Sequence, residues 1–419
     1  MSVRAVEGSA GSGKTYRLIQ LLVDEMQTAP LADGQRVLAL TYMHGARRRL
    51  ADRLNGVATL RHRFDCVTID SFAWRLLSRW RALAQRLHGE IPEPFDARCD
   101  RAGALLERPE VCAWVVASFP IIVIDEAQDL RLERLRIVRA LATSARLLVA
   151  ADEFQCLDSA LRPNPLVAWM RETCVPEVLT LIRRTNVPAL LTGAACVRAG
   201  TPLQLGPRLV IGAAQGVPMA AAFVANAIAW REGGDVAVIT PSMQGAFASD
   251  VVKRVTRRAC GRHGNGPYPI RWEHSDHDEQ ATIMQTLDLP AIASTAETIT
   301  RLQRLSPAGF VNRLITWVRY QMRATGCTQF QSSDIEGLVA RELALRRRHS
   351  VHDHHLFRAM TVQQAKNREF AGVIVIWPYQ VGGDAEHRRR LLYNALTRAS
   401  RWCTIVVQSP QILGSPPFR

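Results

Sequence analysis

Lysine is almost absent from this chain. Lys14, Lys253 and Lys366 are the only three among 419 residues, against fifty arginines. The nine cysteines (Cys66, Cys99, Cys112, Cys156, Cys174, Cys196, Cys260, Cys327 and Cys403) contain no C-x-x-C pair. That removes the usual zinc and iron–sulfur spacings and reads as scattered thiols in a reducing compartment. The longest apolar run, residues 217–230, is broken by Pro218 and Asn226 and is too short to span a bilayer. No targeting segment and no fixed-period repeat is visible, so the expected location is cytoplasmic, away from any membrane. Acid is the minority charge. Asp and Glu number 38 against 53 basic residues, a net +15 with a pI near 10.1. Such an excess points to a polyanionic partner, most simply nucleic acid, with an acidic protein or a membrane surface as alternatives. Apolar residues make up 47% of the chain, enough for two or three buried cores.

Against that scarcity, the first lysine stands in a complete phosphate-binding loop, Gly8-Ser9-Ala10-Gly11-Ser12-Gly13-Lys14-Thr15. A compact ammonium on a flexible stem enters a nest of backbone N–H groups and reaches the β- and γ-phosphates; a planar guanidinium is a poor substitute there. The glycines let the backbone curl around the anion, and the following helix aims its positive end at it. Thr15 supplies the hydroxyl that such loops place on Mg²⁺. The plainer alternative is a Gly/Ser turn before a helix.

The pattern alternates strands and helices. Residues 3–6 read as a strand into the loop, and Leu18, Ile19, Leu22 and Met26 share one face of the next helix. Residues 37–40, 66–69, 121–124 and 147–150 read as further strands, with a helix over 71–87. A second set follows at 178–181, 236–240, 358–362, 373–377 and 404–407. This predicts an α/β fold of two domains built on parallel sheets. The expected division is 1–177 for the first domain, with an insertion at about 80–118. The second domain takes 178–254 and 356–419, with a helical insertion at 255–355.

Ile121-Ile122-Val123-Ile124 delivers Asp125 and Glu126 at a strand's carboxyl end, where ligands bind in such sheets. Asp125 is placed to hold Mg²⁺, and Glu126 to orient and deprotonate a water attacking the γ-phosphate. With the loop, this order of segments resembles superfamily 1 DNA helicases of the UvrD/Rep type. Thr41-Tyr42-Met43-His44 and Thr68-Ile69-Asp70-Ser71 are similar to segments that touch single-stranded DNA in that family. Asp125-Glu126-Ala127-Gln128-Asp129 matches its D-E-x-Q-D. Asp152-Glu153-Phe154-Gln155 resembles its G-D-x-x-Q, which makes Gln155 a γ-phosphate sensor. Arg184 matches the arginine that opens the second domain. Ala365-Lys366-Asn367-Arg368-Glu369-Phe370 resembles A-K-G-L-E-F, and Leu392-Tyr393-Asn394-Ala395-Leu396-Thr397-Arg398-Ala399 resembles L-x-Y-V-A-x-T-R-A.

The resemblance implies two tandem RecA-like P-loop domains, with ATP held between them as its Mg²⁺ complex. Lys14, Glu126, Gln155, Arg184 and Arg398 would be catalytic. Arg183 and Glu369 would join the loop in binding nucleotide. Thr41, Tyr42, His44, Thr68, Ser71, Gln363 and Lys366 would face single-stranded or tailed duplex DNA. The implied activity is an ATP-dependent 3′→5′ translocase or helicase. The alternative is a DNA-responsive ATPase that regulates a protein partner such as a nuclease.

Several positions depart from the family. The glutamine-containing segment that reads adenine has no counterpart in the seven residues before Gly8, and Arg183 stands where a tyrosine usually meets the base. Ala151 and Asn367 replace glycines, and Asp70 a common histidine. Cys156-Leu157-Asp158 follows Gln155 where an aromatic usually stacks on a DNA base. Trp74 and Trp80, among Arg75, Arg79 and Arg81, suit either a nucleic-acid grip or helix packing. Two clusters, His274/Asp276/His277/Asp278 and His349/His352/Asp353/His354/His355, lack helical metal-ligand spacing and read as polar loops.

Overall fold

The computed structural model describes residues 2–42, 44–92, 94–231, 234–273, 276–349 and 356–419. They form two compact units, Met1–Tyr268 with Thr361–Arg419, and Pro269–Met360.

The first unit opens with β1 (Ser2–Gly8), α1 (Lys14–Thr28), β2 (Val37–Thr41), α2 (His44–Asn55), β3 (Phe64–Thr68) and α3 (Ile69–Arg79). Helices α4 (Arg81–His88), α5 (Phe95–Leu106) and α6 (Pro109–Ser118) precede β4 (Ile121–Asp125), α7 (Leu132–Ala142), β5 (Arg146–Ala151), α8 (Pro165–Thr173) and β6 (Glu177–Leu179). The strands make one parallel sheet in the order β3-β2-β4-β5-β1-β6. Strands β2 and β4 are buried throughout, as unbroken apolar runs covered on both faces should be. Two differences from the sequence pattern stand out. The expected helix over 71–87 starts at Ile69 and breaks at Trp80 into α3 and α4. The strand near residue 178, grouped with the second set, instead pairs with β1 at the edge of the first sheet.

The same unit continues with α9 (Pro188–Ala199), β7 (Leu209–Ala213), α10 (Val217–Ala229), β8 (Val236–Thr240) and α11 (Phe247–Arg257). In the second unit come β9 (Arg271–Trp272), α12 (Asp276–Leu287), β10 (Ile292–Ser294), α13 (Thr295–Leu302), α14 (Ala308–Thr325), β11 (Gln329–Gln331), α15 (Ser332–His349) and β12 (Phe357–Thr361). Its core gathers Leu287, Leu302, Phe310, Leu314, Phe330 and Leu338. The chain then supplies α16 (Val362–Ala365), β13 (Phe370–Trp377), α17 (Ala385–Leu396) and β14 (Ala399–Val407) to the first unit. There β7, β14, β13 and β8 run parallel, side by side. The pattern had not separated β7 from its surroundings.

Arg134 of α7 ties the inserted helices to the first sheet. Its buried guanidinium donates to Asp70 at 2.9 Å and Asp96 at 2.7 Å, and Asp70 also accepts from the Cys99 thiol. The same guanidinium lies 5.3 Å from the centre of the Tyr42 ring. Asp70 therefore has a structural partner, which accounts for an acid at that position. Arg134→Met leaves Asp70 without its cation, and Asp96 with only Arg131 at 3.3 Å, and is expected to cost about 3 kcal/mol. A lower urea midpoint with unchanged slope is the expected measurement.

Candidate nucleotide site

β2, β3 and β4 end level with one another. Thr41 is the register partner of both Thr68 and Asp125. The phosphate loop leaves β1 beside this edge with Gly11 and Gly13 in the left-handed region, at φ 79° and 89°. A Cβ on Gly11 would sit 2.7 Å from the Arg184 Cβ, so this glycine permits the close approach of Arg184 as well as the turn. Lys14 Nζ donates to the Gly8 and Ser9 carbonyls at 2.9 and 3.1 Å and lies 3.9 Å from Asp152. Thr15 Oγ1 donates to Asp125 Oδ2 at 2.8 Å. That hydroxyl–carboxylate pair is an all-oxygen donor set of the kind Mg²⁺ accepts beside phosphates.

Glu126 follows in the left-handed region, φ 56°, a strained position for a side chain with a Cβ. Gln128 Nε2 donates to its carboxylate at 2.7 Å, and Gln128 Oε1 accepts from the Asp152 N–H at 3.1 Å. Burial, then the neighbouring Glu126, pushes Asp125 up to about 6. Burial acts the same way on Glu126, but Lys14, the Gln128 amide, Lys366 and Arg398 outweigh it and hold that carboxyl below its usual value.

The wall facing the loop is α17 and the turn after it. Arg390 donates to the Glu153 and Cys156 carbonyls at 2.7 and 3.1 Å. The Tyr393 hydroxyl accepts from the Ala10 N–H at 2.9 Å. Asn394 donates to the Gln155 carbonyl at 3.4 Å, and Arg398 Nη2 to Gln155 Oε1 at 3.2 Å. Gln155 in turn donates to Asp152 at 2.8 Å. Arg198, from α9, bridges Asp152 at 2.9 Å and Tyr393 at 3.2 Å. Arg184 donates to Glu369 at 3.2 Å and to the Thr397 carbonyl at 2.7 Å. Arg183 is tied by its N–H to the Gly11 carbonyl at 2.7 Å, and its guanidinium lies 6.0 Å from the Tyr16 ring centre.

The residues expected at the site thus meet: the loop, Asp125, Glu126, Gln155, Arg183, Arg184, Glu369 and Arg398. Those expected on DNA are differently placed. Thr41 and Thr68 are buried, and Thr68 caps α3 by accepting from the Ser71 N–H at 3.2 Å. Tyr42 and Ser71 are partly exposed, and Gln363 is exposed. The Lys366 side chain, partly buried, is held on Asp129 at 2.7 Å. Met43, His274 and residues 352–355 lie outside the described residues, as do the side chains of His44, Asp276, His277, Asp278 and His349. Asn367, in place of a family glycine, holds φ 63°, which asparagine tolerates better than most residues. Tyr393, Arg198, Arg390 and Asn394 were missed. Helical spacing was the available signal, since Arg390, Asn394 and Arg398 recur every four residues.

The fold and this loop define a nucleotide-binding P-loop protein with two parallel α/β sheets. A family model described as an AAA domain matches residues 1–160. Another, the UvrD-like helicase C-terminal domain, matches residues 356–406. The chain thus carries one segment similar to an AAA domain and another similar to a UvrD-like helicase C-terminal domain, on tandem RecA-like α/β domains with parallel sheets. No curated protein matches it. Among solved structures, the arterivirus nonstructural protein 10 (helicase) aligns with 99% of this chain at 12% identity and a TM-score of 0.41. The chain covers 61% of that protein's length. Among the described residues no helix is long and apolar enough to cross a membrane.

Proposed function

We propose that this chain is an ATP-driven translocase or helicase on single-stranded DNA, moving 3′→5′. The observation that carries the reading is the Lys14–Asp152–Gln155–Arg398 line of contacts, which joins the phosphate loop to the turn after α17. In this reading Lys14 leaves its two loop carbonyls for the β- and γ-phosphates. Thr15 and Asp125 would hold Mg²⁺, which would supply charge neutralisation on the phosphates. Glu126, steered by Gln128, takes the proton of the attacking water. Gln155 senses the γ-phosphate, and Arg184 and Arg398 meet the charge that grows on it. Glu369 orients Arg184. Arg183 and Tyr16 offer a cationic and an aromatic face to the base.

Hydrolysis removes the anion that Arg184 and Arg398 face, so the two domains gain and lose a shared ligand once per cycle. Motion follows if DNA lies across the ends of β2 and β3, where Tyr42 and Ser71 are accessible. The expected outcome is ATPase activity strongly stimulated by single-stranded oligonucleotide, with separation of a 3′-tailed duplex but not a 5′-tailed one. ATPase indifferent to nucleic acid would overturn the reading. One observation favours the second reading, a DNA-responsive ATPase that regulates a partner such as a nuclease. The position after Gln155 is the buried Cys156, whose carbonyl is taken by Arg390, and not an exposed ring. DNA-stimulated ATPase without separation of either duplex would select that reading.

A further inference from the structure

Helix α3 buries Ile69, Phe72, Ala73, Leu76 and Leu77 and turns Trp74, Arg75, Ser78 and Arg79 to solvent. Trp74 is 49% exposed, although large apolar side chains are usually covered. Beside it, Phe95 at the start of α5 is 64% exposed. Arg98, one turn into α5, lies 4.9 Å from the Trp74 ring centre and 5.6 Å from that of Phe95. Its Nε donates to the Pro92 carbonyl at 2.8 Å, which fixes the guanidinium against the two rings. Trp80 differs: it packs edge-on to Trp114 at 5.9 Å and leans on the core.

We propose that Trp74, Phe95 and Arg98 form a base-stacking platform for single-stranded nucleic acid. The proposal rests on the DNA-motor reading above and adds a contact site to it. Charge identifies the occupant. Helices α3 and α4 expose Arg75, Arg79, Arg81 and Arg86; their one acid, Asp70, is engaged by Arg134, and the α5 acids Asp96 and Asp100 are paired with Arg134 and Arg136. Exposed rings among arginines match a chain that alternates flat bases with phosphates. Position agrees. Ser71 lies one helical turn before Trp74 on the same face, and α3 begins at the level edge of β2 and β3. A strand crossing that edge would continue along α3 onto the rings. The platform also supplies stacking that the position after Gln155 lacks.

The test compares oligo(dT) with an abasic oligonucleotide of equal length, titrated against wild type, Trp74→Ala/Phe95→Ala and Trp74→Phe by fluorescence anisotropy. Wild type is expected to prefer oligo(dT). The double variant is expected to lose about ten-fold or more of its affinity for oligo(dT) and little for the abasic strand. Trp74→Phe should keep most of the preference, and circular dichroism should show all three folded alike. A double variant that binds both strands as wild type does overturns the platform while the motor reading stands; that is the result expected if the rings dock a protein. Wild type that binds neither strand overturns both.

Discussion

Arg398→Ala is expected to lower kcat for ATP hydrolysis by about 10³-fold, roughly 4 kcal/mol of transition-state stabilisation, with nucleotide affinity changed far less. Arg398 is 1% exposed. Its hydrogen bonds go to uncharged acceptors: the Asn394 carbonyl at 2.9 Å, the Arg368 carbonyl at 3.5 Å, Gln155 Oε1 at 3.2 Å and the Thr397 hydroxyl at 3.3 Å. Burial, then the nearby Arg184 and, against the opposing pull of Glu126, Arg49, push the guanidinium down to about 9. It remains a cation at neutral pH, held without a carboxylate hydrogen-bond partner and close to other cations. Such a charge is costly in the resting protein and is relieved by an anion. It is relieved most when negative charge on the transferring phosphoryl group peaks, which is the condition for acting on kcat more than on binding. Arg398→Lys keeps a charge but cannot reproduce the fixed donor fork, so it should recover only a small part of the rate. Steady-state ATPase with saturating oligonucleotide, beside titration of a fluorescent ATP analogue, separates the two effects. A loss under ten-fold, or a loss of affinity that accounts for all of it, would remove Arg398 from the transition state.

The contrast between Arg398 and Lys366 shows what the sequence could reveal. Both fell in recognisable segments of the second α/β domain. Arg398 is aimed at the phosphate loop's neighbours, whereas Lys366 is spent on Asp129. Local spacing could not tell them apart, because the decision lies with a carboxylate 237 positions away in the chain. The phosphate loop was legible for the opposite reason. Its chemistry is carried by backbone N–H groups, so glycine and lysine spacing is the site. Strands were legible where both faces are buried, as in β2 and β4, but the same apolar signal could not say that β6 joins the first sheet. Tyr393 lies within a recognisable segment, but nothing in its sequence surroundings predicts a hydroxyl on the Ala10 N–H. Trp74 and Trp80 looked alike in sequence. Only the packing of α3, α4 and α6 leaves one exposed and pairs the other with Trp114.

The carboxylate at Glu126 gives the other large expected effect. Glu126→Gln should lower kcat by about 10³-fold, within the range assigned to a general base, while leaving nucleotide bound at close to wild-type affinity. The substitution is nearly isosteric, and its amide oxygen can still accept from Gln128 Nε2, now 2.7 Å from the Glu126 carboxylate. The backbone also has reason to stay. The left-handed turn at residue 126 is followed by buried Ala127 and Gln128, and Gln128 anchors the Asp152 N–H. What is lost is the ability to take a proton. Because Lys14, Gln128, Lys366 and Arg398 hold the Glu126 carboxyl below its usual value despite burial, this carboxylate stays ionised through neutral pH. The deficit should therefore be constant between pH 6.5 and 8, without an acid limb belonging to this group. A protein that binds ATP but hydrolyses it slowly should dwell in its ATP-bound state, so its ATP-dependent change in affinity for single-stranded DNA should persist for many minutes. Single-turnover hydrolysis together with anisotropy on an oligonucleotide measures both. If the rate falls and ATP affinity falls with it, Glu126 shapes the site and another group takes the proton.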